Sequence, residues 1–161
     1  GITSTSNLKF VESLGCYDHV ICYDDITDLN AEIPSILVDM AGSKKTLSAI
    51  HYHFKEQLSY SCRIGATHHS DMLPADLASI DSLPGAIPTF FFAPTQLKKR
   101  VTDWGHHETM KQIGLSLLSY IEFCRSIMTI VHTTDKKKIE PIYQDVLSGK
   151  ADASIGLIVS L

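Results

Sequence analysis

A parallel α/β fold is what this sequence predicts, and three observations carry the prediction. Short apolar runs at residues 19–23, 35–40, 60–65 and 89–93 alternate with amphipathic stretches of helical spacing. The runs lack a clean apolar–polar alternation, as expected of strands covered by helices on both faces. Asp24 and Asp25, Gly42, Gly65 and Pro94 close the four runs in turn.

The elements follow in order. A polar turn, Thr3, Ser4, Thr5, Ser6 and Asn7, opens an amphipathic run with Leu8, Val11 and Leu14 on one stripe and Phe10 beside it. Gly15 stops that run ahead of the strand at 19–23. After the strand at 35–40, Ser43 can cap a helix whose apolar positions Leu47, Ile50, Phe54 and Leu58 keep helical spacing. Residues 66–88 are polar and rich in Pro, Asp and Ser, a length of connection that is usually functional or mobile. Beyond the strand at 89–93, Pro94 suits the first turn of a helix reaching Trp104 and Gly105. Met110, Ile113, Leu117, Leu118, Ile121 and Cys124 then mark a long amphipathic helix. The tail reads as a strand at 128–132, a lysine-rich turn, a short helix at 139–148 and a last strand at 156–161.

Composition narrows the classes of function. The 161 residues are 44% apolar, enough for a domain with a real core. A formal charge of −4 argues against nucleic acid or an anionic membrane as the main partner. The basic clusters at 98–100 and 136–138 read as solvated helix faces or loops. Cys16, Cys22, Cys62 and Cys124 show no CxxC spacing and suit buried, reduced thiols, which with the lack of a leader or spanning stretch predicts a cytoplasmic protein.

Ligands of doubly wound sheets bind beyond the carboxyl ends of the strands. Those ends carry Thr3 and Ser4, Tyr23, the run Asp39, Met40, Ala41 and Gly42, and Gly65 with Ala66. In a dinucleotide fold, the turn after the second strand faces the adenosine ribose. A carboxylate there favours NAD, whereas hydroxyls and cations accommodate a 2′-phosphate. Residues 3–9 offer hydroxyls, Asn7 and Lys9, with no carboxylate before Glu12, so such a turn would prefer NADP. An ordinary Ser/Thr helix cap would look the same.

Leu14, Gly15, Cys16, Tyr17, Asp18, Val20, Ile21 and Tyr23 resemble the "LGAD-x-V-I-x-Y" segment of the medium-chain dehydrogenase/reductase superfamily, nearest its quinone-oxidoreductase-like branch. Residues 38–42 are similar to its "vDxxG" strand, and residues 142–159 to its closing glycine–lysine segment. Ser61, Cys62 and His68, with residues 90–94, look like an uncharacterised branch known mainly from bacterial and fungal genomes.

The resemblance implies an incomplete Rossmann-type sheet over residues 1–127, and a segment at 128–161 returning toward a barrel-like domain. It implies an NADP(H)-dependent hydride transfer to or from a small carbonyl or an activated alkene such as a quinone or enone. Ser4 and Asn7 fall at the 2′-phosphate contacts, with Asn7 where a lysine is usual and Lys9 as a partial substitute. Tyr23 matches a tyrosine beside the ribose phosphate, and residues 39–42 with Gly65 and Ala66 match the ribose and nicotinamide side. Phe91 and Phe92 would reach toward the nicotinamide or substrate. The family's glycine-rich pyrophosphate turn is expected ahead of Gly1. No residue stands out as a proton donor, so no catalytic residue is assigned.

Two other readings compete. The chain could bind a dinucleotide without turnover, or His68, His69 and Asp71 could serve a metal-dependent hydrolase. Adjacent histidines point apart, and His51, His53, His106 and His107 fit no H-E-x-x-H pattern, so no metal site is expected. No G-x-S-x-G elbow supports serine hydrolysis. An open sheet edge with uncovered apolar surface predicts self-association, most simply a homodimer.

Overall fold

The computed structural model describes residues 1–65 and 82–160. The predicted α/β class is what it has: short parallel sheets flanked by helices. Strand β1 (Ile2–Thr3), helix α1 (Leu8–Ser13) and strand β2 (Ile21–Cys22) form one parallel pair, Ile2 opposite Ile21 and Thr3 opposite Cys22. Strand β3 (Ser35–Asp39), helix α2 (Lys44–Phe54), strand β4 (Leu58–Arg63) and strand β5 (Thr89–Phe90) build a parallel sheet in the order β3–β4–β5. Helices α3 (Ala93–Trp104) and α4 (His106–Ile127) pack as a pair. Strands β6 (Thr129–Thr133) and β7 (Ile155–Val159) then pair in parallel across helix α5 (Lys136–Leu147).

Several boundaries differ from the sequence-based expectation. The single sheet is divided: among the described residues, β1–β2, β3–β4–β5 and β6–β7 share no hydrogen-bonded ladder. The strand expected at 19–23 is only Ile21–Cys22, because Tyr23 begins a run of tight turns, Tyr23–Asp28. Leu58 opens β4 instead of continuing the helix, because the chain reverses at Lys55, whose φ is +47°. Strand β5 ends at Phe90, although the Phe91 N–H still donates to the Arg63 carbonyl at 2.8 Å, and Phe92 precedes the first residue of α3. Helix α5 starts a turn earlier than its apolar pattern, because an Asp135 carboxylate oxygen accepts from the Lys137 N–H at 3.0 Å. Cys16 is exposed, lying in the loop released by Gly15 at φ +63°, whereas Cys22 and Cys62 are buried as expected.

The core lies where α2 crosses the strands. Ile50 and Phe54 from the helix meet Ile26 and Leu58, with Ile2, Ile21, Leu29 and Leu37 packed around them. Burying each such side chain contributes about 1.5–3 kcal/mol. Because β1, β2 and β3 all supply residues to it, this cluster holds the two strand groups together without a shared ladder. Ser43 caps α2 as predicted, its hydroxyl accepting from the Thr46 N–H. The other face of β3 and β4 is less covered than expected: Ile36 is 67% exposed, and Val38 and Tyr60 are exposed beside it.

His51 fastens α2 to the sheet. It is 0% exposed. Nδ1 lies 2.9 Å from the Pro84 carbonyl, which can only accept, so Nδ1 carries the proton. In the neutral ring Nε2 then accepts from the Ser61 hydroxyl at 2.9 Å. Helix α2, the middle strand β4 and the segment leading into β5 thus meet on one ring. His51→Ala strands two polar partners and opens a cavity. It should cost about 2–4 kcal/mol by urea denaturation, and a loss under about 0.5 kcal/mol would contradict this role.

Candidate functional site

The carboxyl ends of β1 and β2 and the start of α2 converge on one cleft of about 300 Å³. Ser4 and Thr5 enter it from the turn after β1, Tyr23 and Asp24 from the end of β2, and Ser43, Lys45, Thr46 and Ala49 from α2. Parallel strands put these ends on one side, and the apolar cluster beneath α2 draws them together. Ser4, Thr5, Ser43, Thr46 and Tyr23 bring hydroxyl side chains to the lining of the cleft, of which Thr46 donates to Ser43 at 3.3 Å and Ser4 pairs with Ser6 at 2.9 Å. Lys45 adds a cation close to a helix N-terminus, an arrangement favourable to an anion. The Asp24 carboxylate offsets part of that positive field.

Of the residues named from the sequence, Ser4 and Tyr23 line this cleft. Thr3 is buried in β1 opposite Cys22. Asn7 precedes α1 and makes no capping hydrogen bond through its side chain. The Asp39 carboxylate folds the turn after β3, with Oδ1 accepting from the N–H groups of Ala41 at 3.1 Å and Gly42 at 2.9 Å. Met40 is exposed. Ala66, His68, His69 and Asp71 lie outside the described residues.

Phe91 and Phe92 do not reach the cleft. Phe91 lines a separate groove of about 950 Å³ between α3 and α4, with Leu97, Trp104, Ile113, Leu117 and Tyr120. Phe92 is exposed, its ring 6.5 Å from that of Phe90. The Cys124 side chain pushes up the pKa of Tyr120, and Gln112 followed by Lys111 pulls that of Glu108 down. Among the described residues, no group of three or more His, Cys, Asp or Glu side chains could hold a metal ion. Nor is any described helix long and apolar enough to cross a membrane.

Lys45 and Thr46 were not anticipated. The rule that ligands gather at carboxyl ends covers helix N-termini as well as strand tips, and applied to the helix after Ser43 it would have found them.

A family model described as a protein of unknown function, DUF2855, matches residues 1–152. The chain belongs to the DUF2855 family. No curated protein and no solved structure matches it. In this DUF2855 chain the match runs from β1 through α5 and stops just short of β7.

Gly65 shapes the carboxyl edge by the space it leaves free. The N–H groups of Ile64 and Gly65 both donate to the Asp39 carbonyl, at 2.8 and 3.2 Å. A Cβ on Gly65 would stand 1.7 Å from the Met40 carbonyl oxygen, so β4 and the turn after β3 can lie this close only with glycine there. Gly65→Ala is expected to lose about 2–4 kcal/mol in urea denaturation; a variant as stable as the parent would refute this contact.

Proposed function

We propose that this DUF2855 chain is part of an NADP(H)-dependent oxidoreductase that moves hydride to or from a small carbonyl or activated alkene, such as a quinone or enone. What supports the reading is the set of groups in the strand-end cleft. Ser4 and Thr5 from the turn after β1 and Lys45 from the start of α2 line that cleft, and bring hydroxyls and an ammonium that can donate to a phosphate. A 2′-phosphate has acceptor oxygens for these donors, and NADH has no such group to offer. The cation missing from position 7 would come from Lys45 instead of Lys9. The cleft fits the phosphate-bearing ribose, and it is too small for a whole dinucleotide.

Parallel strands that end together are the usual seat of such a cofactor, and the motif resemblance to medium-chain dehydrogenases and reductases favours the same chemistry. In this reading residues 1–127 contribute the dinucleotide half, and residues 128–161 contribute to the catalytic half. The nicotinamide would carry the hydride. This chain's own residues would bind and orient the adenosine end: Lys45 by charge, Ser4 and Thr5 by hydrogen bonds, and Tyr23 beside the ribose.

Fluorescence titration tests the reading. NADPH should bind more tightly than NADH. Lys45→Ala should weaken NADPH about three- to tenfold, modest because the side chain is exposed, and should leave NADH unchanged. Equal affinity for both cofactors, or an unaffected variant, would overturn it. NADPH oxidation against a quinone and enone panel then separates an enzyme from a protein that binds without turnover.

A further inference from the structure

Helix α4 carries two faces, and α3 covers only one of them. Thr109, Gln112, Ile113, Leu117 and Tyr120 turn toward α3 and line the groove between the two helices. At about 100° per residue, the stripe Glu108, Lys111, Leu115, Leu118, Glu122 and Arg125 falls on the opposite side. Leu115 is 52% exposed and Leu118 62%. Lys111, Glu122 and Arg125 are exposed beside them, and Glu108 is half-buried. Glu108 reaches Lys111 at 3.7 Å, an exposed pair that contributes little. Among the described residues, no ion pair joins Glu122 or Arg125 to anything.

We propose that this stripe is the surface through which two copies of the chain associate, their α4 helices antiparallel about a two-fold axis. In such a contact residue i meets j and j meets i. An axis passing between Ser116 and Leu117 sets Leu115 against the partner subunit's Leu118 at the centre. Further out, the same register sets Lys111 against the partner subunit's Glu122, and at the ends Glu108 against the partner subunit's Arg125. Each charge thus meets the opposite sign, and each ion pair is made twice. The six positions step by three and four residues in alternation, the spacing that keeps one seam in contact along paired helices.

Charge complementarity is what selects a second copy as the occupant. The stripe carries two cations and two anions, so a partner of one sign gains nothing on it. Its charges run minus, plus, minus, plus around the two leucines, and this order is complementary to itself when reversed. Parallel helices in register would set every charge against its own kind, which disfavours that alignment. The leucines supply the apolar burial, and the ion pairs fix direction and register. Association expected from an open sheet edge is thereby placed on a helix. The surface is separate from the cleft lined by Ser4, Tyr23 and Lys45 and does not require the dinucleotide.

Analytical ultracentrifugation of the 161-residue chain tests the proposal. The parent should sediment as a dimer at concentrations on the order of 50 µM. Leu118→Lys should sediment as a monomer. Glu122→Lys sets like charges opposite each other twice per dimer and should weaken association at least about tenfold. Adding Lys111→Glu to that variant should restore association to within about threefold of the parent. A parent that is monomeric at that concentration overturns the proposal. So does a dimer that neither single substitution weakens, or a charge exchange that restores nothing. All three substitutions change exposed side chains, so helix content by circular dichroism should match the parent. If Leu118→Lys does not fold, the charge exchange decides alone.

Discussion

The buried imidazole of His51 is the constraint on which the rest of the structure depends. One ring ties α2 to the middle strand through Ser61 and ties the approach to β5 through Pro84. Helix α2 in turn presses Ile50 and Phe54 onto the cluster that gathers β1, β2 and β3. Because β1–β2 and β3–β4–β5 share no ladder, their alignment comes from side-chain packing under this helix. The cleft at Ser4, Tyr23 and Lys45 exists because α2 lies where it does. The same placement fixes Ser61 on the middle strand.

The sequence made the secondary structure legible wherever a local rule governs it. Ser43 caps α2 as its position implied, and Gly15 releases the loop after α1 at a positive φ. Leu58 stands at helical spacing from Phe54 yet opens a strand. What moves it into β4 is the reversal at Lys55, and nothing in the spacing of apolar residues encodes that turn. Phe91 and Phe92 look like strand residues by composition, but the ladder ends at Phe90, and Pro94 suits the first turn of the helix that begins at Ala93.

The site was legible only in part, for a related reason. Ser4 and Tyr23 follow apolar runs, so a rule about strand ends finds them. Lys45 reaches the same cleft from the helix that follows a different strand, and pairing it with Ser4 requires the tertiary fold. The apolar side chains of Ile36, Val38 and Tyr60, exposed on the opposite face, also contradict the expectation of a sheet covered on both sides. Lack of alternation along the sequence was not enough to establish two covered faces.

NADP(H) is proposed to dock at the carboxyl edge of the parallel strands, and amide chemical-shift mapping during an NADPH titration locates where it binds. Shifts should concentrate at Ser4, Thr5, Tyr23, Lys45 and Thr46, around the cleft at the start of α2. Shifts confined to Trp104, Ile113, Leu117 and Tyr120, in the groove between α3 and α4, would contradict it.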